Sequence, residues 1–206
     1  MTRIVLLRHG QTEWNRVERF RGRADLALDE VGLAQAEAAA AHIAGWQPVA
    51  LYSSPLRRAV MTAQALARRL TLSITPLEGL VDIDYGLWQG LSPEEAAARD
   101  PQRSRQWLEA PHLVRFPQGE SLDEVRSRAL AALDEVMARH RDQTAVMVSH
   151  KVVCKVLLCA VLGLDNSHFW QVEQDVCALN LLEARERGRV VALMNDTCHL
   201  REVQRG

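Results

Sequence analysis

Two histidines in this chain follow apolar runs and stand beside cations: His9 after Arg8 in "RIVLLRHG", and His150 before Lys151 in "TAVMVSHK". A third apolar run, "PVALYS", leads into Ser54, Arg57 and Arg58. Guanidinium forks hold oxyanions bidentately, and a neutral imidazole is a nucleophile or proton carrier near neutral pH. Together these groups suit an anion, in particular a phosphoryl group with a histidine available to accept it. The rival reading of paired histidines is a metal. No two of the seven histidines lie closer than ten residues, so there is no HExxH, no cysteine pair has zinc spacing, and the neighbouring arginines would repel a cation. GxxxxGK[ST] and GxSxG are also missing, which removes the nucleotide-cradling loop and the serine nucleophile elbow.

These residues need a scaffold that brings them together. "RIVLL" (3–7), "PVALYS" (48–53) and "TAVMVSH" (144–150) read as strands buried on both faces. Between them, 30–44 is alanine-rich with helical spacing after Asp29, 56–70 reads as a helix opened by Ser54 with Pro55 in its first turn, and 121–140 starts with the capping box Ser121 and Glu124. An apolar helix follows at 151–162, and 178–184 and 190–196 are strand-like. Glycines and prolines break 78–120 into an inserted lobe. The alternation predicts one α/β domain over 1–206: a three-layer, doubly wound, mostly parallel sheet flanked by helices. Ligands in such folds bind beyond the carboxyl ends of the strands, where Arg8, His9, Arg58 and His150 would converge.

Composition sets the class. The chain of 206 residues is 48% apolar with a net charge of -1, so no nucleic-acid or membrane partner is expected. Six arginines in the first 23 residues, opposed by Glu13 and Glu18, make that segment a candidate to face an anion. Cys154, Cys159, Cys177 and Cys198 form no CxxC and read as reduced thiols, and no leader or span is recognised, so a cytoplasmic location is expected. The oligomeric state stays open, with a homodimer among the options.

"LLRHGQTEWN", "SSPLRRAVMTA", "DIDYGLWQG", "FPQGESLDEV" and "VMVSH" resemble, in order and spacing, the histidine phosphatase superfamily, the phosphoglycerate-mutase-like family, and within it the small bacterial phosphatase-type members. The resemblance implies a doubly wound α/β fold and His9 as the nucleophile. Arg8, Arg58, His150 and Asn15 would surround the phosphoryl oxygens, with Arg57 on the helix surface. It places the general acid at Asp82, where most members carry glutamate. Asp84 matches a family aspartate read as structural, and Glu13 and Glu120 rank below both. Lys151 stands where many members have glycine, and with Arg21 and Arg23 it is a candidate to read the rest of the substrate. Trp88 and Trp107 either wall the pocket or pack the core. The implied activity is metal-independent hydrolysis of small phosphate esters through phosphohistidine, with no cofactor. The alternatives are a cofactor-dependent phosphoglycerate mutase, an α-ribazole phosphatase-like enzyme and a catalytically weak phosphate-binding protein.

Overall fold

The computed structural model describes residues 1–201 and 203; the remainder of the expected 1–206 domain, residues 202 and 204–206, lies outside the described residues. The elements run β1 (Thr2–Arg8), α1 (Glu13–Arg16), α2 (Glu30–Ile43), β2 (Ala50–Ser53), α3 (Arg57–Leu70), β3 (Ile74–Pro76), α4 (Pro93–Arg99), α5 (Pro101–Glu109), α6 (Leu122–Arg139), β4 (Thr144–Ser149), α7 (Lys151–Val161), β5 (Leu179–Arg185) and β6 (Gly188–Asp196). They build a six-stranded sheet in the order β3-β2-β4-β1-β5-β6. The first four strands in that order are parallel, and β5 and β6 join antiparallel beside β1.

The unbroken apolar runs of β1 and β4 reflect two cores rather than one. Ile4, Leu6, Ala145 and Met147 face a layer containing Val125 and Leu133 of α6 and Val153 and Leu157 of α7. Their sequence neighbours Val5, Leu7, Val146 and Val148 face Ala36 and Ala40 of α2 and Ala59 and Ala63 of α3. Side chains alternate across a strand, so a central strand buried on both faces must be apolar throughout.

Register then sets the level at which the chemistry emerges. Arg8 pairs with Ser149. The next residue, His9, donates its backbone N–H to the Ser149 carbonyl at 2.9 Å, and the Ser54 N–H donates to Val148 at 3.0 Å. His9, Ser54 and His150 therefore leave the sheet side by side at its carboxyl edge.

One expectation needs correction, and one strand is new. Helix α3 starts at Arg57 with Leu56 as its N-cap, so Ser54 does not open it. The Ser54 hydroxyl accepts from the N–H of Leu56, the cap residue, at 3.3 Å and also binds His150 at 2.7 Å, while Pro55 lies ahead of the first turn. The three-residue β3 was not anticipated. It is an edge strand ending in Pro76, tolerated there because an edge leaves one side without ladder bonds.

Residues 78–120 form short turns together with α4 and α5. Tyr85, Trp88, Trp107 and Phe116 pack edge to face and join the α6/α7 core. Gly86 is required for this segment to close. It has a φ of +51°, and a Cβ there would lie 2.0 Å from the Pro117 carbonyl oxygen.

Candidate active site

The His9 ring is fixed by a backbone carbonyl. Its Nδ1 lies 2.7 Å from the Gly10 oxygen, and since a carbonyl only accepts, Nδ1 carries the proton and Nε2 keeps its lone pair. Arg58 Nε–H points at that lone pair at 3.2 Å and at His150 Nδ1 at the same distance. The His150 Nε2–H therefore donates to Ser54 Oγ at 2.7 Å. The rest of the Arg58 guanidinium is pinned by the carbonyls of Ala24 and Gly22, each at 2.7 Å, and by Asp82 Oδ2 at 3.1 Å. That oxygen lies 3.8 Å from His150 Nδ1, while Asp82 Oδ1 accepts from the Ile83 N–H. Arg8 donates to the Gln174 carbonyl at 2.6 Å, and its buried Nε has no partner among the described residues. Asn15 spends its Oδ1 on the Thr12 N–H and hydroxyl, which turns its amide donors outward.

Burial first, then the charges of Arg58, Arg8 and Arg21, hold the His9 imidazole well below its usual range. Burial, Arg58 and His9 do the same to His150. Even Arg8 is brought down to about 10 by burial and Arg21. At neutral pH the centre thus holds two neutral imidazoles among three arginines, faced by Asp82. The surplus positive charge in a buried site favours a dianion.

A cavity of about 610 Å³ opens above this centre. Arg8, Asn15, Arg21, Asp82 and Lys151 line it, as do Phe20, Tyr85, Trp107, Phe169 and Trp170. His9, Arg58 and His150 lie behind these polar groups, each no more than 1% exposed. Of the remaining candidates, Trp107 reaches the cavity and Trp88 stays in the core. Arg23 is directed elsewhere, at 3.5 Å from Asp84 and 3.4 Å from Glu120. Asp84 accepts from the Gly86 N–H, and Glu120 is held by Arg128. Glu13 and Arg57 are exposed.

Two participants escaped the sequence reading, Ser54 as the partner of His150 and the Gln174 carbonyl as the anchor of Arg8, and so did Lys155 beside the aromatic wall of the cavity. Lys155 is fully buried, with Nζ 4.2 Å from the Phe169 ring centre and 4.5 Å from that of Trp170. Burial and the nearby Lys151 bring it down to about 8. Its signal was a lysine four residues after Lys151 inside an apolar helix, and so on the same helix face.

The model of the histidine phosphatase superfamily (branch 1) matches residues 4–197. The chain belongs to that superfamily. Phosphoserine phosphatase 1 of Hydrogenobacter thermophilus is 39% identical over 202 residues, spanning 98% of this chain and 96% of that protein. Among solved structures, Bacillus stearothermophilus YhfR superposes with a TM-score of 0.93 at 30% identity, covering 97% of this chain and 100% of its own. A mycobacterial glucosyl-3-phosphoglycerate phosphatase complexed with VO3 gives 0.87 at 30% identity, covering 95% and 99%.

The depressed histidines of this histidine phosphatase have a stability signature. Below pH of about 6.5, the unfolded chain binds protons that the folded His9 and His150 refuse, so stability falls as pH drops. Urea midpoints should decline from about pH 7 to about pH 5. The decline should be smaller in His150→Asn, and an equal decline in that variant would refute the assignment.

Proposed function

We propose that this enzyme hydrolyses phosphomonoesters without a metal, passing the phosphoryl group first to His9 and then to water. The observation that carries the reading is the Nδ1–H bond to the Gly10 carbonyl. It leaves the Nε2 lone pair as an acceptor directed at Arg58 Nε–H, behind the cavity that Arg8 and Asn15 line. The substrate's phosphoryl oxygens replace His9 as acceptor for Arg58 Nε–H and take further donors from Arg8 and Asn15, joined by His150 once a proton reaches its Nδ1. The Nε2 lone pair then forms the N–P bond while the P–O bond to the alcohol breaks. A substrate that binds as the monoanion leaves its proton on Asp82, which gives that proton to the departing oxygen. The resulting carboxylate takes a proton from water as that water attacks phosphorus. The P–N bond breaks, phosphate leaves and the Nε2 lone pair returns. Preorganised guanidinium donors stabilise the charge spread over the equatorial oxygens in both steps.

The test is phosphate release in EDTA from a panel including phosphoserine, 3-phosphoglycerate and α-ribazole phosphate, together with acid quenching to trap the enzyme-bound phosphoryl group. Release undiminished by EDTA, with an acid-labile phosphoenzyme, is expected. Label moving between phosphoglycerate positions without phosphate release would instead show a mutase.

Lys151 and Arg21 sit in the cavity beside the phosphoryl-binding groups and suit a second anion on the substrate, while the aromatic wall leaves room for a larger alcohol. Lys151→Ala should raise KM for the carboxylate-bearing phosphoserine and 3-phosphoglycerate about tenfold, the loss of one charge-assisted contact. The kcat for these substrates and the constants for p-nitrophenyl phosphate should change less than about twofold. An equal effect on both substrate types would show that Lys151 does not read the carboxylate. No helix among the described residues is long and apolar enough to cross a membrane, and three buried free cysteines fit a reducing cytoplasm.

A further inference from the structure

A second group of chemically capable side chains lies apart from the cavity, where the end of α2 meets the chain after β6. His42 in the last turn of α2, Asp196 at the end of β6 and Cys198 in the following turn bring a nitrogen, an oxygen and a sulfur within 4.8 Å of one another. Their sequence separation hid this: His42 is more than 150 residues from the other two.

Two of the three donors are already oriented. The Cys198 backbone N–H donates to Asp196 Oδ1 at 2.9 Å, and the Cys198 thiol donates to Oδ2 at 3.2 Å, placing sulfur and carboxylate side by side. The His42 ring is braced edge to face by Trp46, with ring centres 5.3 Å apart. The turn itself is anchored, since Leu200 is 1% exposed and packs among Ala36, Ala39, Ala40 and Ile43.

An independent observation marks the same place. His199 adjoins His42, with ring centres 5.7 Å apart. Among the described residues neither of its ring nitrogens has a well-formed hydrogen bond, although both atoms are buried and the Cys177 backbone is near. Imidazole nitrogens kept from water without partners are costly unless something else uses the lone pair.

We infer that His42, Asp196 and Cys198 form a zinc site, with His199 able to supply the fourth ligand by side-chain rotation. Thiolate and imidazole donors select Zn2+ over Mg2+ or Ca2+, which require oxygen ligands. Zinc bonds of about 2.0 Å to nitrogen and about 2.3 Å to sulfur set tetrahedral ligand atoms about 3.5 Å apart; Sγ and Oδ2 already lie at 3.2 Å, and the His42 nitrogen, within 4.8 Å of both, must close by roughly 1 Å at most. Cys198 is exposed and the other two are only half-buried, so rotation of their side chains closes that gap. On binding, the Zn–S bond forms as the thiol proton now shared with Asp196 passes to solvent, and the freed Oδ2 turns to the metal. The bound ion ties the chain's last described segment to α2. Its role is structural, because the catalytic steps use neither these residues nor a metal.

The test uses the full chain, stripped with EDTA and desalted. Titration with Zn2+ should saturate at one ion per chain and raise the melting temperature, since the ion binds the folded state. Co2+ as a probe should give a thiolate-to-cobalt absorption band. His42→Ala and Cys198→Ser should each weaken Zn2+ binding at least tenfold, Cys198→Ser should abolish the cobalt band, and phosphate release should stay at the wild-type rate in both. Lack of saturable binding overturns the site. So does binding that survives both variants, or binding that disappears in His9→Ala, which would put the ion in the catalytic centre. These readouts are independent of turnover, so a failed hydrolysis assay leaves them intact.

Discussion

His9→Ala is expected to lower kcat by about 10⁴-fold or more and to leave no trappable phosphoenzyme, because loss of a nucleophile removes the whole covalent route. The rival for that role is His150, whose Nδ1 also keeps a lone pair and shares the same Arg58 N–H. Two features separate them. His150 Nδ1 lies 3.8 Å from Asp82 Oδ2, so a proton arriving there is stabilised by the carboxylate, and His150 then becomes a donor to the phosphoryl oxygens. The His9 ring instead has Nδ1–H on the Gly10 carbonyl, a contact that stabilises the positive charge its ring acquires when Nε2 forms the bond to phosphorus. His150→Asn should therefore cost about 10²- to 10³-fold in kcat, as loss of one transition-state donor does, and should still form phosphoenzyme. Single-turnover quenching decides the matter: phosphoenzyme in His9→Ala and none in His150→Asn would reverse the two assignments.

How much of this centre could be read in the chain depended on whether local or tertiary forces placed each residue. β1 and β4 were legible because burial on both faces forces a continuous apolar run, and α6 because Ser121 and Glu124 close a capping box that the structure retains. Ser54 misled for the opposite reason. Its type and position suit a helix cap, but a hydroxyl beside a buried imidazole has a partner that no local rule sees. β3 was missed because three residues carry no periodicity, and the strand exists only through its pairing with β2. Asp82 and Asp84 are two residues apart in a segment without regular structure, so only the family resemblance ranked Asp82 ahead. The fold separates them by sending Asp82 to Arg58 and Asp84 to the turn at Gly86. Lys155 and the His42, Asp196 and Cys198 group likewise become meaningful only when helix packing and chain closure bring their neighbours in.

The second large effect expected is at Asp82. Asp82→Asn should lower kcat for alkyl phosphates such as phosphoserine about 10²- to 10⁴-fold, or roughly 3 to 5 kcal/mol of barrier. Asparagine is the informative replacement. Asp82 is the carboxylate bonded to the buried Arg58, and deleting it outright would leave an uncompensated buried charge costing about 3 to 5 kcal/mol of stability. The amide oxygen can keep accepting from Arg58, so the variant should fold while losing the proton. The leaving group then separates chemistry from structure. An alkoxide must be protonated as it departs, whereas p-nitrophenolate leaves unaided, so phosphorylation by p-nitrophenyl phosphate should proceed at nearly the wild-type rate. Attack of water on the phosphoenzyme still needs a base, so p-nitrophenol should appear as a burst followed by a slow steady state. Asp84→Asn, altering a carboxylate that holds the Gly86 turn, should show no such burst and should slow alkyl and aryl esters alike. A burst in Asp84→Asn with none in Asp82→Asn would move the general acid to Asp84.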